Sequence, residues 1–120
     1  MTLDAFDKLQ PFHLAVPVLD LEATRAFYVD FLGCKQGRSA PRWIDFNFFG
    51  HQLSVHLVDE DKTLEVPTNG VDGDRVPARH FGVVLTWSDW QRLSSRLVEQ
   101  GTEFLIAPKT RFQGEPGEQG

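Results

Sequence analysis

The fold is decided by the stretch Phe12-His13-Leu14-Ala15-Val16-Pro17-Val18, which recurs as Arg79-His80-Phe81-Gly82-Val83-Val84-Leu85. Each copy alternates bulky apolar side chains with a histidine and a small residue, which is typical of a β-strand with one buried face. The side chains of His13 and Ala15 therefore share a face, as do those of His80 and Gly82. For either strand alone, the better interpretation is that its histidine is isolated and hydrogen-bonded on a half-buried strand. The repetition favours a second interpretation, in which His13 and His80 bind one metal ion.

Composition limits the class of protein. The chain has 120 residues with 41% hydrophobic and 24% charged residues, which suits one domain, 1–120, with a single core. A net charge of −5 argues against nucleic acid and against an anionic membrane as partners. A lone cysteine, Cys34, fits a reducing compartment. No signal peptide and no apolar run of roughly 20 residues is present, so we expect a cytoplasmic protein.

The first half, about residues 11–58, predicts a β-α-β-β-β module. Asp20 is a good N-cap, and apolar residues at helical spacing predict a helix over about 21–32 that ends at Gly33. A short strand follows the helix. Two alternating segments then surround the turn Phe49-Gly50, which predicts a β-hairpin.

The second half repeats this order after an acidic linker loop at about 59–78. The histidines at 13 and 80 are 67 positions apart, and the helix-ending glycines at 33 and 101 are 68 apart. The partial second module, about 79–120, predicts a strand from His80, a helix capped by Ser88 and a strand from Glu103 to Ala107. A closing hairpin is missing, and either a longer chain or a partner would supply it.

Three segments of the first half carry a resemblance to a known family: Phe12 to Leu21, Arg25-Ala-Phe-Tyr and Phe31-Leu-Gly-Cys. They resemble the vicinal oxygen chelate superfamily, which includes glyoxalase I, bleomycin- and fosfomycin-resistance proteins and extradiol ring-cleaving dioxygenases. A closer resemblance, to small single-domain extradiol dioxygenase-like proteins, lies in Trp43 to Gln52, His80 to Leu85 and Arg111 to Gln119. The match begins at about residue 11 and covers nearly all of the remaining chain.

The resemblance implies an α+β fold. Paired β-α-β-β-β modules would form an open, cup-shaped mixed sheet around a divalent metal, with the helices outside. It also implies that His13 and His80 are metal ligands, each on the first strand of its module. The usual third ligand is a glutamate after an Asp-Pro-x-Gly-Asn segment, which this sequence lacks. Fe(II) is the metal that the dioxygenase branch favours, with Mn, Ni or Zn as alternatives.

Other polar residues are candidates for contact with a substrate. His56 shares a strand face with Ser54 and is either a further ligand or catalytic acid/base, or a surface histidine. Trp43, Asp45 and Asn47 share another strand face, which either orients a small, possibly aromatic, substrate or faces water. Glu115 and Glu118 are the only acids of the tail, where a solvated, mobile segment is the better expectation. A lone arginine such as Arg38 or Arg111 either meets an anionic substrate or is solvated.

Two classes of function follow. The first is a metal-dependent oxidoreductase that resembles the extradiol dioxygenases, with glyoxalase-like lyase or isomerase chemistry as a variant. The second is a non-catalytic protein that binds and sequesters a small molecule, as bleomycin-resistance proteins do. An unfinished sheet exposes an edge, so we also expect a homodimer, with exchanged strands as one form of it.

Overall fold

The computed structural model describes residues 9–60 and 66–120. It has the predicted α+β class. The chain divides into two compact units, Met1–Lys62 and Thr63–Gly120. Among the described residues, no helix is both long and apolar enough to cross a membrane.

The first unit holds a four-stranded mixed sheet with the strand order β1-β4-β3-β2. Its elements are β1 (His13–Val18), α1 (Leu21–Arg25), a π-helical continuation (Ala26–Phe31), β2 (Lys35–Ala40), β3 (Trp43–Phe48) and β4 (His51–Leu57). β1 runs parallel to β4, and the other neighbouring pairs are antiparallel. The predicted β-α-β-β-β order of this half is confirmed.

The core of the first unit is built on one face of β3 and β4. Ile44 pairs with Val55 and Phe46 with Leu53, and all four side chains are at most 1% exposed. Tyr28 covers them from the helical segment, with its ring centre 5.1 Å from that of Phe46. Burial of large apolar side chains is the main favourable contribution to folding, so this cluster dominates the stability of the unit.

The predicted turn and helix ends are confirmed. Phe49 and Gly50 have φ angles of 52° and 90°, the two positive values that a type I′ hairpin turn requires. Asp20 caps α1, because its Oδ1 accepts from the Ala23 N–H at 3.0 Å. Gly33 ends the helical segment with φ 76°. The π-helical part was not predicted, since apolar spacing over six residues does not separate it from an α-helix.

The second unit contains a β-hairpin where the sequence predicted a loop. Its elements are β5 (Thr68–Val71), β6 (Asp74–Pro77) and α2 (Trp87–Glu99). Asp72-Gly73 forms the turn with φ angles of 46° and 85°. The prediction of a loop over 59–78 is therefore wrong at 68–77. The Asp72-Gly73 pair is typical of a β-hairpin turn, but it was taken as a sign of a loop. Residues 61–65 of that loop lie outside the described residues.

The two strands predicted in the second half do not form ladders among the described residues. Residues 80–86 and 102–107 carry no strand, although half-buried and exposed side chains alternate over 82–86 and 102–107. In the first unit β1 is paired only with β4. The described part of the second unit has no counterpart of β4 after α2, so no ladder forms along 80–86. The predicted cap is also two residues off, because Thr86, not Ser88, accepts the Asp89 N–H.

The segment Lys109–Phe112 is fastened to the β5–β6 hairpin. Lys109 and Arg111 both pair with Oδ2 of Asp74, the latter through a nitrogen at 3.1 Å. Arg111 also donates to the Val71 carbonyl at 2.8 Å. We call Asp74, Lys109 and Arg111 the clasp. It ties the tail to the hairpin through one carboxylate.

Asp74→Asn is expected to release this segment. The hydrogen bond from Lys109, and then the charges of Lys109 and Arg111, lower the pKa of Asp74 below its ordinary value of 3.8 against the opposing effect of burial. The carboxylate therefore stabilises the clasp fully at pH values above the pKa that Asp74 has in the unfolded chain. That stabilisation is lost as the pH falls through the lower pKa that Asp74 has in the folded protein. Trypsin should cleave after Lys109 and Arg111 faster in Asp74→Asn, and the Asp74 carboxyl carbon should titrate below pH 3.8 in the unaltered protein.

Asp89→Asn is the matched control, because it removes a carboxylate that pairs with Arg92 on α2. Equal cleavage rates in the two variants would contradict the role of the clasp.

Candidate functional site

The candidate site is the polar face of the four-stranded sheet. Directly paired residues of neighbouring strands point to the same face. The pairs on this face are His13 with Gln52, Ala15 with Ser54, Pro17 with His56, Trp43 with His56, Asp45 with Ser54 and Asn47 with Gln52. The sheet thus gathers every candidate of the first half, His13, Trp43, Asp45, Asn47 and His56, opposite the core.

Asp45 is the buried acid of this face, at 9% exposure. Ser54 Oγ donates to Oδ1 of Asp45 at 2.5 Å, and Gln52 Nε2 donates more weakly to Oδ2 at 3.4 Å. Arg38 adds an ion pair, with a nitrogen 3.7 Å from Oδ2. Three side chains contact the carboxylate and restrain its position. Asp45 is therefore a buried, ordered group of the polar face rather than a solvated one.

A β-bulge in β2 places Arg38 on the polar face. Gln36 pairs with Phe46 and Ser39 with Ile44, so Gly37 and Arg38 together oppose the single residue Asp45. Without the extra residue, simple alternation from Lys35 would point Arg38 toward the core side. Bulges commonly re-aim a side chain in this way. The guanidinium carbon of Arg38 lies 5.9 Å from the ring centre of Trp43.

Asn47 and His56 differ in their surroundings. The Asn47 side-chain oxygen accepts from the Gly50 N–H at 2.8 Å, so this residue stabilises the β3–β4 turn. His56 is exposed between Pro17 and Trp43. Its assignment as an acid/base and that of Asn47 as a substrate contact stay predictions.

His13 and His80 belong to different units. His13 is exposed on β1, and within residues 9–60 and 66–120 its ring makes no hydrogen bond. His80 is exposed outside any strand, and its Nδ1 lies 2.7 Å from the Pro77 carbonyl oxygen. Because a carbonyl only accepts, Nδ1 carries the proton, and Nε2 of the neutral ring keeps its lone pair. A binding role for both rings stays a prediction.

The donor set fits a divalent metal in part. Neutral imidazole nitrogen suits iron, nickel and zinc, and a second ring nitrogen bonded to a backbone carbonyl is the usual support of a metal-ligating histidine. His80 has that support. Within the described parts of the chain, however, no three His, Cys, Asp or Glu side chains come together to hold a metal. Glu118 is used locally, since its Oε2 accepts from the Gly114 N–H at 2.8 Å.

A cleft of about 330 Å³ opens at the end of the polar face nearest the β3–β4 turn. Its lining includes Gly37, Arg38, Asp45, His51 and Gln52. Nδ1 of His51 accepts from the Phe12 N–H at 2.8 Å, which fixes the proton of this ring on Nε2. The cleft combines a fixed carboxylate and a guanidinium.

Residues 10–115 match the family model described as the Glyoxalase/Bleomycin resistance protein/Dioxygenase superfamily. The chain belongs to this superfamily. The predicted resemblance to the vicinal oxygen chelate proteins is confirmed, because glyoxalases, resistance proteins and dioxygenases are the members that it named. Members commonly bind divalent metals and small-molecule substrates and often form dimers. No curated protein sequence matches the chain.

Solved structures of the superfamily support the fold. A glyoxalase/bleomycin resistance protein/dioxygenase from Alicyclobacillus acidocaldarius is 33% identical, with a TM-score of 0.74 over 91% of this chain and 76% of that one. Lactoylglutathione lyase from Agrobacterium tumefaciens is 19% identical, with a TM-score of 0.58 over 81% and 74% of the two chains. A fosfomycin resistance protein from Listeria monocytogenes is 17% identical, with a TM-score of 0.58 over 91% and 76%. The last two show the fold alone.

Sequence reasoning named Arg38 as a residue that could meet an anionic substrate, but it did not place it on the polar face, and it underrated Ser54 and Gln52. The alternation of β4 already placed Ser54 and Gln52 on the face of His56, so a signal for them was present. The orientation of Arg38 had no such signal, because it depends on the bulge.

Ser54→Ala should destabilise the first unit by roughly 1–3 kcal/mol, since it leaves the buried Asp45 oxygen without its short hydrogen bond. Exchange of the slowest amide hydrogens of β3 and β4 measures this loss. Ser95→Ala, on an exposed position of α2, is the control and should leave those amides unchanged. Protection as strong in Ser54→Ala as in the unaltered protein would show that Asp45 does not need this donor.

Proposed function

We propose that this protein is a metal-dependent enzyme acting on a small molecule, with His13 and His80 as two metal ligands. The hydrogen bond from His80 Nδ1 to the Pro77 carbonyl carries the proposal, because it leaves Nε2 available in the tautomer that a metal needs. The position of both histidines in motifs that resemble the dioxygenase-like members supports the same roles. Fe(II) is the metal that this branch favours, and Mn, Ni and Zn are alternatives.

A bound divalent metal supplies positive charge that polarises a substrate oxygen, and an iron(II) centre with two histidines and a carboxylate also leaves positions for O₂. The residues of the chain do the rest. Trp43 offers an aromatic wall, and Asp45, fixed by Ser54, offers acceptor oxygens. His56 is exposed on the same face and can take or give a proton. These roles make the polar face the substrate-binding surface.

A second candidate is a protein that binds a small molecule without chemistry. It is favoured by one observation, namely that no three His, Cys, Asp or Glu side chains come together among the described residues to hold a metal. The cleft beside the β3–β4 turn needs no metal to receive a ligand. This candidate uses the same polar face, so metal dependence separates the two.

The chain fits a reducing cytoplasm. Its one cysteine, Cys34, is 8% exposed, and burial raises the pKa of its thiol. A buried, protonated thiol is a poor partner for disulfide exchange. Cys34 therefore acts as an apolar packing residue, which supports the proposed location.

Metal content per chain is the measurement that tests the enzyme. Anaerobically purified protein should hold close to one divalent ion per chain by elemental analysis, and His13→Ala and His80→Ala should each lose about 10- to 100-fold in metal affinity or more. His56→Ala should keep the metal and lose O₂ uptake with a catechol. Undiminished metal binding in His13→Ala and His80→Ala would overturn the ligand assignment. Metal-free protein that still binds a ligand would favour the second candidate.

A homodimer is the second part of the proposal. β1 and β2 are the edges of the four-stranded sheet, and each pairs with one strand only among the described residues. Unpaired strand edges favour pairing with another chain. Sedimentation at micromolar concentration should give twice the mass of one chain, 13.6 kDa. A stable monomer under those conditions would refute the dimer.

A further inference from the structure

The cleft beside the β3–β4 turn contains an arginine in a chain of net charge −5. Arg38 lines the cleft, and Lys35 pairs with Asn47, which places it on the same face of the sheet. Asp45 is the one acid in the four strands of the sheet. A ligand that enters the cleft therefore meets the guanidinium of Arg38 and one carboxylate that is already engaged.

Arg38 is held on two sides. Its ion pair with Asp45 uses one terminal nitrogen, and its carbon stacks near the ring of Trp43. Within the described residues, its other nitrogens make no hydrogen bond. Arginine has five N–H donors in a planar fork that suits a carboxylate. A restrained guanidinium loses less conformational entropy on binding than a free one.

Asp45 does not use all the donors of Arg38. Its oxygens already accept from Ser54 and Gln52, and the nitrogen of Arg38 lies 3.7 Å away, beyond a short charge-assisted hydrogen bond. The other N–H donors of the guanidinium are therefore available to a ligand in the cleft.

We propose that this cleft binds the carboxylate of a small organic acid, with Arg38 as the specificity-determining residue. The inference rests on the proposed role of the polar face as a substrate-binding surface, and it names the substrate class as anionic. The same oxyanion chemistry would accept inorganic phosphate, since a guanidinium pairs with both groups, and titration with both separates them.

Titration of ¹⁵N-labelled, chelator-treated protein with benzoate, benzamide and inorganic phosphate tests the proposal. Benzoate and benzamide have nearly the same shape and differ in charge. Benzoate should shift the indole N–H signal of Trp43 and the Nε–H signal of Arg38, and it should bind at least about tenfold more tightly than benzamide. Arg38→Gln should weaken benzoate binding about tenfold and leave benzamide binding unchanged, while Arg38→Lys should lie between the two.

Arg42→Gln is the matched control, because Arg42, in the turn between β2 and β3, binds the Leu57 carbonyl and Asp59 away from the cleft. It should bind benzoate as the unaltered protein does. Equal binding of benzoate and benzamide, tighter binding of phosphate than of benzoate, or equal losses in Arg38→Gln and Arg42→Gln would each overturn the proposal. The titration uses metal-free protein, so it succeeds or fails independently of the metal content that tests the enzyme.

Discussion

The pairing register of the β3–β4 hairpin is the constraint on which the first unit depends. Ile44 faces Val55 and Asp45 faces Ser54 in that register. Since side chains alternate along a strand, a slip by one residue would exchange the two faces and put the carboxylate in the core. The turn Phe49-Gly50 fixes the register, because its two positive φ angles admit only a two-residue connection of the type I′ form. The apolar core and the polar site are thus two results of one pairing.

β1 adds His13 to this hairpin through a parallel pairing with β4. A parallel neighbour cannot be reached by a tight turn, so the chain must cross over. The helical segment 21–31 carries it from β1 to β2 at the other edge of the sheet, and β2, β3 and β4 then lead back to β1. Phe12 closes the start of the pairing, since its N–H binds His51 and its carbonyl accepts from the Gln52 N–H at 2.8 Å. The position of His13 beside Gln52 therefore depends on contacts at the turn end of β4, next to the cleft.

Local patterns predicted the first unit well, and non-local pairing explains what they missed. The cap at Asp20, the turn at Phe49-Gly50 and the faces of β3 and β4 follow from residues close in sequence. The orientation of Arg38 depends on where β2 gains an extra residue against β3, which no local signal marks. The segment expected to form a strand from His80 alternates over 82–86 but joins no sheet among the described residues. Alternation predicts which side chains are buried, whereas a strand also needs a partner.

His80 is positioned by contacts that reach the tail. Its Nδ1 binds the carbonyl of Pro77, the last residue of β6, and the next residue, Ala78, is tied back to the Pro67 carbonyl at 2.6 Å. β6 begins at Asp74, which is the carboxylate of the clasp. A chain of direct contacts therefore runs from Lys109 and Arg111 through β6 to His80. Whereas His13 is oriented by a ladder in a sheet, the orientation of His80 depends on a four-residue strand and the ion pairs that fasten the tail to it.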